Sequence, residues 1–70
     1  MSKYYIKSLG NNIRKVRKSQ KIPQEKLAEM IGKSGNYVSM VERAEINPPT
    51  SVIMQIAIAL KVHTKIFYDF

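Results

Sequence analysis

The sequence predicts an all-α fold of five short helices, and three observations carry that prediction. Apolar residues recur at helical spacing along the chain, with no strand-like alternation. Gly32, Pro23 and the run Asn47-Pro48-Pro49 punctuate the pattern at short intervals, so each helix is brief. Seventy residues without cysteine form one domain, residues 1–70, with no disulfide or thiolate metal site.

The elements follow in order. Ile6, Leu9, Ile13 and Val16 share one stripe and set a first helix over residues 7–20, with Lys7, Arg14, Lys15 and Lys18 on the other side. Pro23 suits the start of a second helix, where its missing N–H is no loss. Leu27, Ala28 and Ile31 form that helix's inward side, and Gly32 supplies the positive φ that a tight turn requires. Ser34 is an N-cap for a third helix reaching Arg43, with Val38 and Val41 inward. Thr50 or Ser51 caps a fourth helix ending at Lys61. Residues 65–70 form a short last one, after a turn at Val62 and His63.

The block from Gln24 to Arg43 is the informative one. Two helices meeting steeply need a small residue at closest approach (Ala28) and an unstrained turn (Gly32). They also need apolar locks, which Leu27, Ile31, Val38 and Val41 provide. All six at compatible spacing specify a helix-turn-helix over residues 24–43.

With Val38 and Val41 inward, the third helix turns Asn36, Ser39, Met40 and Arg43 outward, with Gly35 at the edge of that face. Short polar side chains there suit base edges. Asn36 matches adenine, Ser39 several bases, and Met40 a thymine methyl, whereas Gly35 offers only backbone approach. Gln24 at the start of the second helix is placed to reach a phosphate, and Lys33, Ser34, Arg43 and Asn47 are further phosphate contacts. Arg17 and Glu42 each fall on the flank of an apolar stripe, so they are expected to pair as scaffold between the first and third helices.

The chain resembles the lambda-repressor-like (phage repressor and Cro, xenobiotic-response-element type) helix-turn-helix proteins. The resemblance runs over residues 9–67. It rests on Ile13-Arg14-Lys15-Val16-Arg17, Gln24-Glu25-Lys26-Leu27-Ala28, Tyr37-Val38-Ser39, Val41-Glu42-Arg43, Asn47-Pro48 and Ile56-Ala57. It implies a compact five-helix DNA-binding domain, transcriptional regulation, a homodimer on an inverted repeat, and the same Arg17–Glu42 pair. Three positions depart from the family pattern. Pro23 replaces the usual hydroxyl residue ahead of Gln24, Lys33 occupies a commonly apolar turn position, and Ala44 stands where glycine usually follows the third helix.

Charge agrees with a polyanionic partner. Residues 1–33 hold nine Lys and Arg against Glu25 and Glu29, a net of +7, while residues 34–70 hold three against three. Such asymmetry fits nucleic acid or an anionic membrane. The separation of charged from apolar helices argues against a membrane-surface peptide. The basic face of the first helix, Arg14 and Lys18, is expected to supply a general field rather than specific contacts.

Helix four is apolar nearly all round, so Met54 and Ile58 are surplus to a one-sided core. With Ile66, Phe67 and Phe70 of the 62–70 tail they form an expected homodimer interface. Twofold symmetry would set two reading helices about 34 Å apart.

No enzyme is expected. His63 is the lone histidine, in a turn, with no carboxylate pair, nucleophile set or phosphate-cradling loop. No cofactor, metal or small-molecule substrate is indicated. The stretch 52–60 is too short to span a bilayer, and no signal peptide is evident, so a cytoplasmic, bacterial or phage-like setting is expected. The reading is therefore a regulator, expected to be a repressor, of double-stranded DNA. The alternative is a protein-interaction module, such as an antitoxin or co-activator, on the same fold.

Overall fold

The first helix is longer than its apolar stripe requires. A computed structural model describes residues 3–70, with α1 at Lys3–Ser19, α2 at Gln24–Met30, α3 at Gly35–Glu42, α4 at Thr50–Leu60 and a 3-10 helix at Thr64–Tyr68. Met1 and Ser2, included in the domain above, lie outside the described residues. The expected five helices are thus four α-helices and one 3-10 helix.

The early start of α1 has an aromatic cause. Tyr5 packs against Tyr68 and Phe70 at ring distances of 5.9 and 5.5 Å. Tyr4 meets Phe70 edge-on at 6.4 Å. Asn12 Nδ2 donates to the carbonyls of Phe67 and Asp69, which draws the C-terminal end onto α1. Burial and the neighbouring Tyr5 hydroxyl hold the Tyr68 phenol above its ordinary pKa.

The core joins all five elements. Leu9 and Ile13 of α1, Leu27 and Ala28 of α2, and Val38 and Val41 of α3 meet Val52, Ile53, Ile56, Ala57 and Leu60 of α4. Phe67 is fully buried among them. That corrects its assignment to a dimer interface: a whole phenyl ring leaves water here by closing the core over α1 and α4. The radius of gyration, 10.7 Å, matches the roughly 11 Å of a fully collapsed chain of this length.

Every α-helix ends in the same hydrogen-bonded turn, with one residue in the left-handed region. For α2 that residue is Gly32, φ +69°, followed by Lys33 N–H donating to Ala28 O. The other three are Lys21, Ala44 and Lys61, with φ between 58° and 61°. Their following amides donate back five residues: Ile22 to Arg17, Glu45 to Met40, and Val62 to Ala57. This is the Schellman pattern, which favours glycine because a Cβ in this conformation costs about 1–2 kcal/mol. Ala44, at the position where the family carries glycine, keeps the same turn geometry and bears that strain.

The N-termini differ from expectation at one end. Ser34 Oγ accepts from Tyr37 N–H at 3.1 Å, the cap the sequence predicts. Neither Thr50 nor Ser51 caps α4; Pro49 stands in the N-cap position, without a side-chain hydrogen bond. Arg43 is the C-cap of α3 rather than its last helical residue.

Candidate nucleic-acid interface

The orientation of α3 is set by a buried polar network. Arg17 Nε donates to Glu42 Oε2 at 2.7 Å and Nη2 to Oε1 at 3.0 Å, while Nη1 donates to the Ile22 carbonyl at 2.7 Å. Gln24 Nε2 donates to the same Glu42 Oε1 at 3.0 Å. The Arg17 and Glu42 side chains are 9% and 1% exposed. One carboxylate thereby ties together α1, the α1–α2 turn, α2 and α3. The Arg17–Glu42 pair is where the flanks of the two stripes put it. Gln24 is the member that sequence reasoning missed as scaffold, because its reach to Glu42 depends on the angle between α2 and α3.

Gly10 is a second missed residue. A Cβ there would lie 2.4 Å from the Val41 carbonyl oxygen and 2.9 Å from that of Glu42. In the sequence it reads as a weak helix former; in the fold it lets α1 cross directly against the end of α3. Only its place one residue after Leu9, on the inward side of α1, hinted at this.

The outward face of α3 is polar and free of carboxylates. Asn36 and Arg43 are exposed, and Ser39 and Met40 are half-buried between them and the scaffold. At 1.5 Å per residue the eight-residue helix is about 12 Å long, commensurate with a major groove about 12 Å wide. Gly35 is displaced from this face. A Cβ there would point at Glu25 Cγ, 3.1 Å away, so Gly35 belongs to the α2–α3 junction and offers backbone alone.

The expected phosphate contacts are distributed around this face. Lys33 Nζ lies 5.3 Å from the centroid of the Tyr37 ring, a cation–π placement that leaves the ammonium in solvent. The Ser34 hydroxyl is spent as an acceptor in its cap but keeps a proton to donate. Gln24 likewise keeps one amide N–H beyond its bond to Glu42. Arg43 is held by Glu45 in an exposed pair at 3.3 Å, a contact worth only about 0–1 kcal/mol and easily exchanged. Asn47 is exposed in the turn before Pro48.

Away from α3, four of the five expected interface residues are open: Met54 is 53% exposed, Ile58 74%, Ile66 44% and Phe70 50%. Met30, which the sequence reading left out, joins Ile58, Gln55 and Ala59 around a shallow apolar cleft. His63 is exposed and its Nδ1 accepts from Lys65 N–H, capping the 3-10 helix. Among the described residues no cluster of three His, Cys, Asp or Glu could hold a metal, and no helix is long and apolar enough to cross a membrane.

Residues 13–67 match the helix-turn-helix family. Two proteins from strains of Mycobacterium tuberculosis, both named uncharacterized HTH-type transcriptional regulators, are 39% identical over 59 residues; the match takes in 84% of this chain and 42% of theirs. The fold is similar to the restriction-modification controller protein C.AhdI from Aeromonas hydrophila, at TM-score 0.90 and 27% identity, over 94% of this chain and 96% of that one. It is also similar to a hypothetical transcription factor from Neisseria, at TM-score 0.86 and 32% identity, over 97% and 79% of the two chains. With the family match over residues 13–67 and the shared fold, this chain belongs to the lambda-repressor-like helix-turn-helix family of DNA-binding transcriptional regulators, not to an enzyme family.

Proposed function

We propose that this protein is a sequence-specific regulator that lays α3 in the major groove of double-stranded DNA and acts as a homodimer on an inverted repeat, repressing the promoter it covers. The observation that carries the reading is the pairing of an outward α3 face without carboxylates and an inward anchor in which both Glu42 oxygens are already bound by Arg17 and Gln24. Asn36 and Met40 supply the base contacts, with Ser39 between them. Gln24, Ser34, Lys33, Arg43 and Asn47 grip phosphates on either side. The likeness to a restriction-modification controller protein supports a regulatory role of this kind.

The dimer reading is supported by the exposed pair Met54 and Ile58, one turn apart on α4, with Met30 beside Ile58. Such a patch is costly to leave in water on so small a protein. Phe67 takes no part in it.

The test is selection of duplexes from a random pool, followed by titration of the winner. Asn36→Ala should relax preference at one base pair by about 1–3 kcal/mol while leaving the melting midpoint unchanged. A selected duplex bound equally by wild type and Asn36→Ala would refute the reading face. Ile58→Lys should convert a dimer in sedimentation to a monomer; a wild-type protein that sediments as a monomer at high micromolar concentration refutes the dimer.

A further inference from the structure

We propose that the cleft between the first two turns of α1 and the C-terminal end of α3 is a second phosphate grip, outside the helix-turn-helix, for the backbone of the same DNA duplex. This inference rests on the DNA-binding reading above and adds a contact surface that the motif itself lacks.

The cleft has a volume of about 560 Å³ and is lined by Tyr4, Lys7, Ser8, Asn11 and Arg43, with Glu42 at its floor. Lys3 joins Lys7 and Arg43 around the adjoining hollow. The cleft and the hollow together present three cations, of which Arg43 is in its exposed pair with Glu45, with two hydroxyls and an amide. The one carboxylate, Glu42, is 1% exposed and already bound by Arg17 and Gln24. Lys3 and Lys7 make no ion pair among the described residues, although both are exposed. They lie four residues apart on α1, so their ammonium groups repel each other along the helix in the free protein. A phosphodiester between them and Arg43 would turn that repulsion into attraction.

Geometry makes the contact informative as well as attractive. Gly10 allows α1 to sit directly on the carbonyls of Val41 and Glu42. Arg17 and Glu42 clamp the same two helices about two α1 turns further on. The cleft is consequently fixed relative to α3, so a phosphate held there sets how far along the groove α3 lies. Gln24 and Ser34 do the same from the other end of α3. A cationic helix face acting through the long-range field would carry no such registration.

The experiment compares Lys3→Ala/Lys7→Ala with Lys61→Ala/Lys65→Ala, which removes equal charge from the far end of the chain. Each is titrated against a duplex selected by the wild type, across a range of salt concentrations, with melting curves to verify the fold. Two lost phosphate contacts should make the slope of log affinity against log salt shallower by about 1.8 per protomer, on the order of 60-fold weaker binding at 0.1 M salt, with base preference kept. The control pair should change little. An unchanged slope in the first variant overturns the grip, and so does an equal loss in both. If the wild type selects no duplex, the DNA reading fails with it; if it does and Lys3→Ala/Lys7→Ala binds normally, only the grip fails.

Discussion

The two halves of this small domain are held by different forces. Around α2 and α3 a single carboxylate, Glu42, is fixed by three hydrogen bonds from Arg17 and Gln24, while Arg17 also holds Ile22. Around α4 and the 3-10 helix, stability comes from aliphatic packing, from the buried Phe67, and from ring contacts among Tyr4, Tyr5, Tyr68 and Phe70. Apolar burial is non-directional and tolerates small shifts, whereas charge-assisted hydrogen bonds fix angles and distances. The charged directional links occur where α3 must be aimed, whereas the other half adds to its packing only neutral bonds, from Asn12 to the Phe67 and Asp69 carbonyls and from Gln20 to that of Leu60.

Removing one link from each half should expose that contrast. Arg17→Ala strands the Glu42 carboxylate in the core and should cost about 3–5 kcal/mol, and Phe67→Ala should cost a similar 3–5 kcal/mol through its cavity. For a domain this small either loss is a large share of the total stability, so both midpoints should fall far in thermal melts followed by circular dichroism. The difference should lie in repair. Replacing Arg17 and Glu42 together by Met and Leu should restore the midpoint yet impair DNA recognition, because nothing then fixes the angle of α3. Full stability with full base preference in that double variant would show that packing alone aims the helix.

Gly10→Ala comes next. It drives a methyl group into two backbone carbonyls, which side-chain motion cannot relieve, and should cost about 1–3 kcal/mol or more. A stability equal to wild type in urea unfolding would mean that α1 can slide along α3. Ala44→Gly should act in the opposite direction. Releasing a left-handed alanine should stabilise by about 1 kcal/mol, raising the midpoint by about 4–8 °C. No gain would mean that the α3–α4 turn is strained elsewhere.

The smallest effect is confined to alkaline pH. Tyr68 has its pKa raised in the fold, so the folded state favours the protonated phenol. Its contribution is complete below about pH 10, the ordinary tyrosine value, and is lost as pH rises through the raised one. Tyr68→Phe should therefore flatten the alkaline limb of a stability–pH curve while leaving neutral stability nearly unaltered.

Most of the helix-turn-helix was legible in the chain. Ala28, Gly32, Ser34, Val38 and Val41 act through local rules of spacing, turn conformation and capping, and each occupies its expected place. Arg17 and Glu42 were legible because a charge on the edge of an apolar stripe needs a partner. The failures have a common origin. Phe67 looked like surface because a short aromatic tail has no period, and its burial depends on where α1 and α4 leave a gap. The first turn of α1 was missed because Tyr5 is held by residues more than sixty positions away.

What residue order alone decided here is which segments are helical, which sides are apolar, where the positive charge lies, and that α3 carries a short polar face. Those properties follow from φ/ψ preference and a 3.6-residue period, which act within a few positions. What only the packed molecule decided is the angle of α3, the entry of Gln24 into its anchor, the close crossing at Gly10, and the cleft that gathers Lys3, Lys7 and Arg43. Each of these joins residues far apart in the chain, through contacts whose distances exist only once the helices have met.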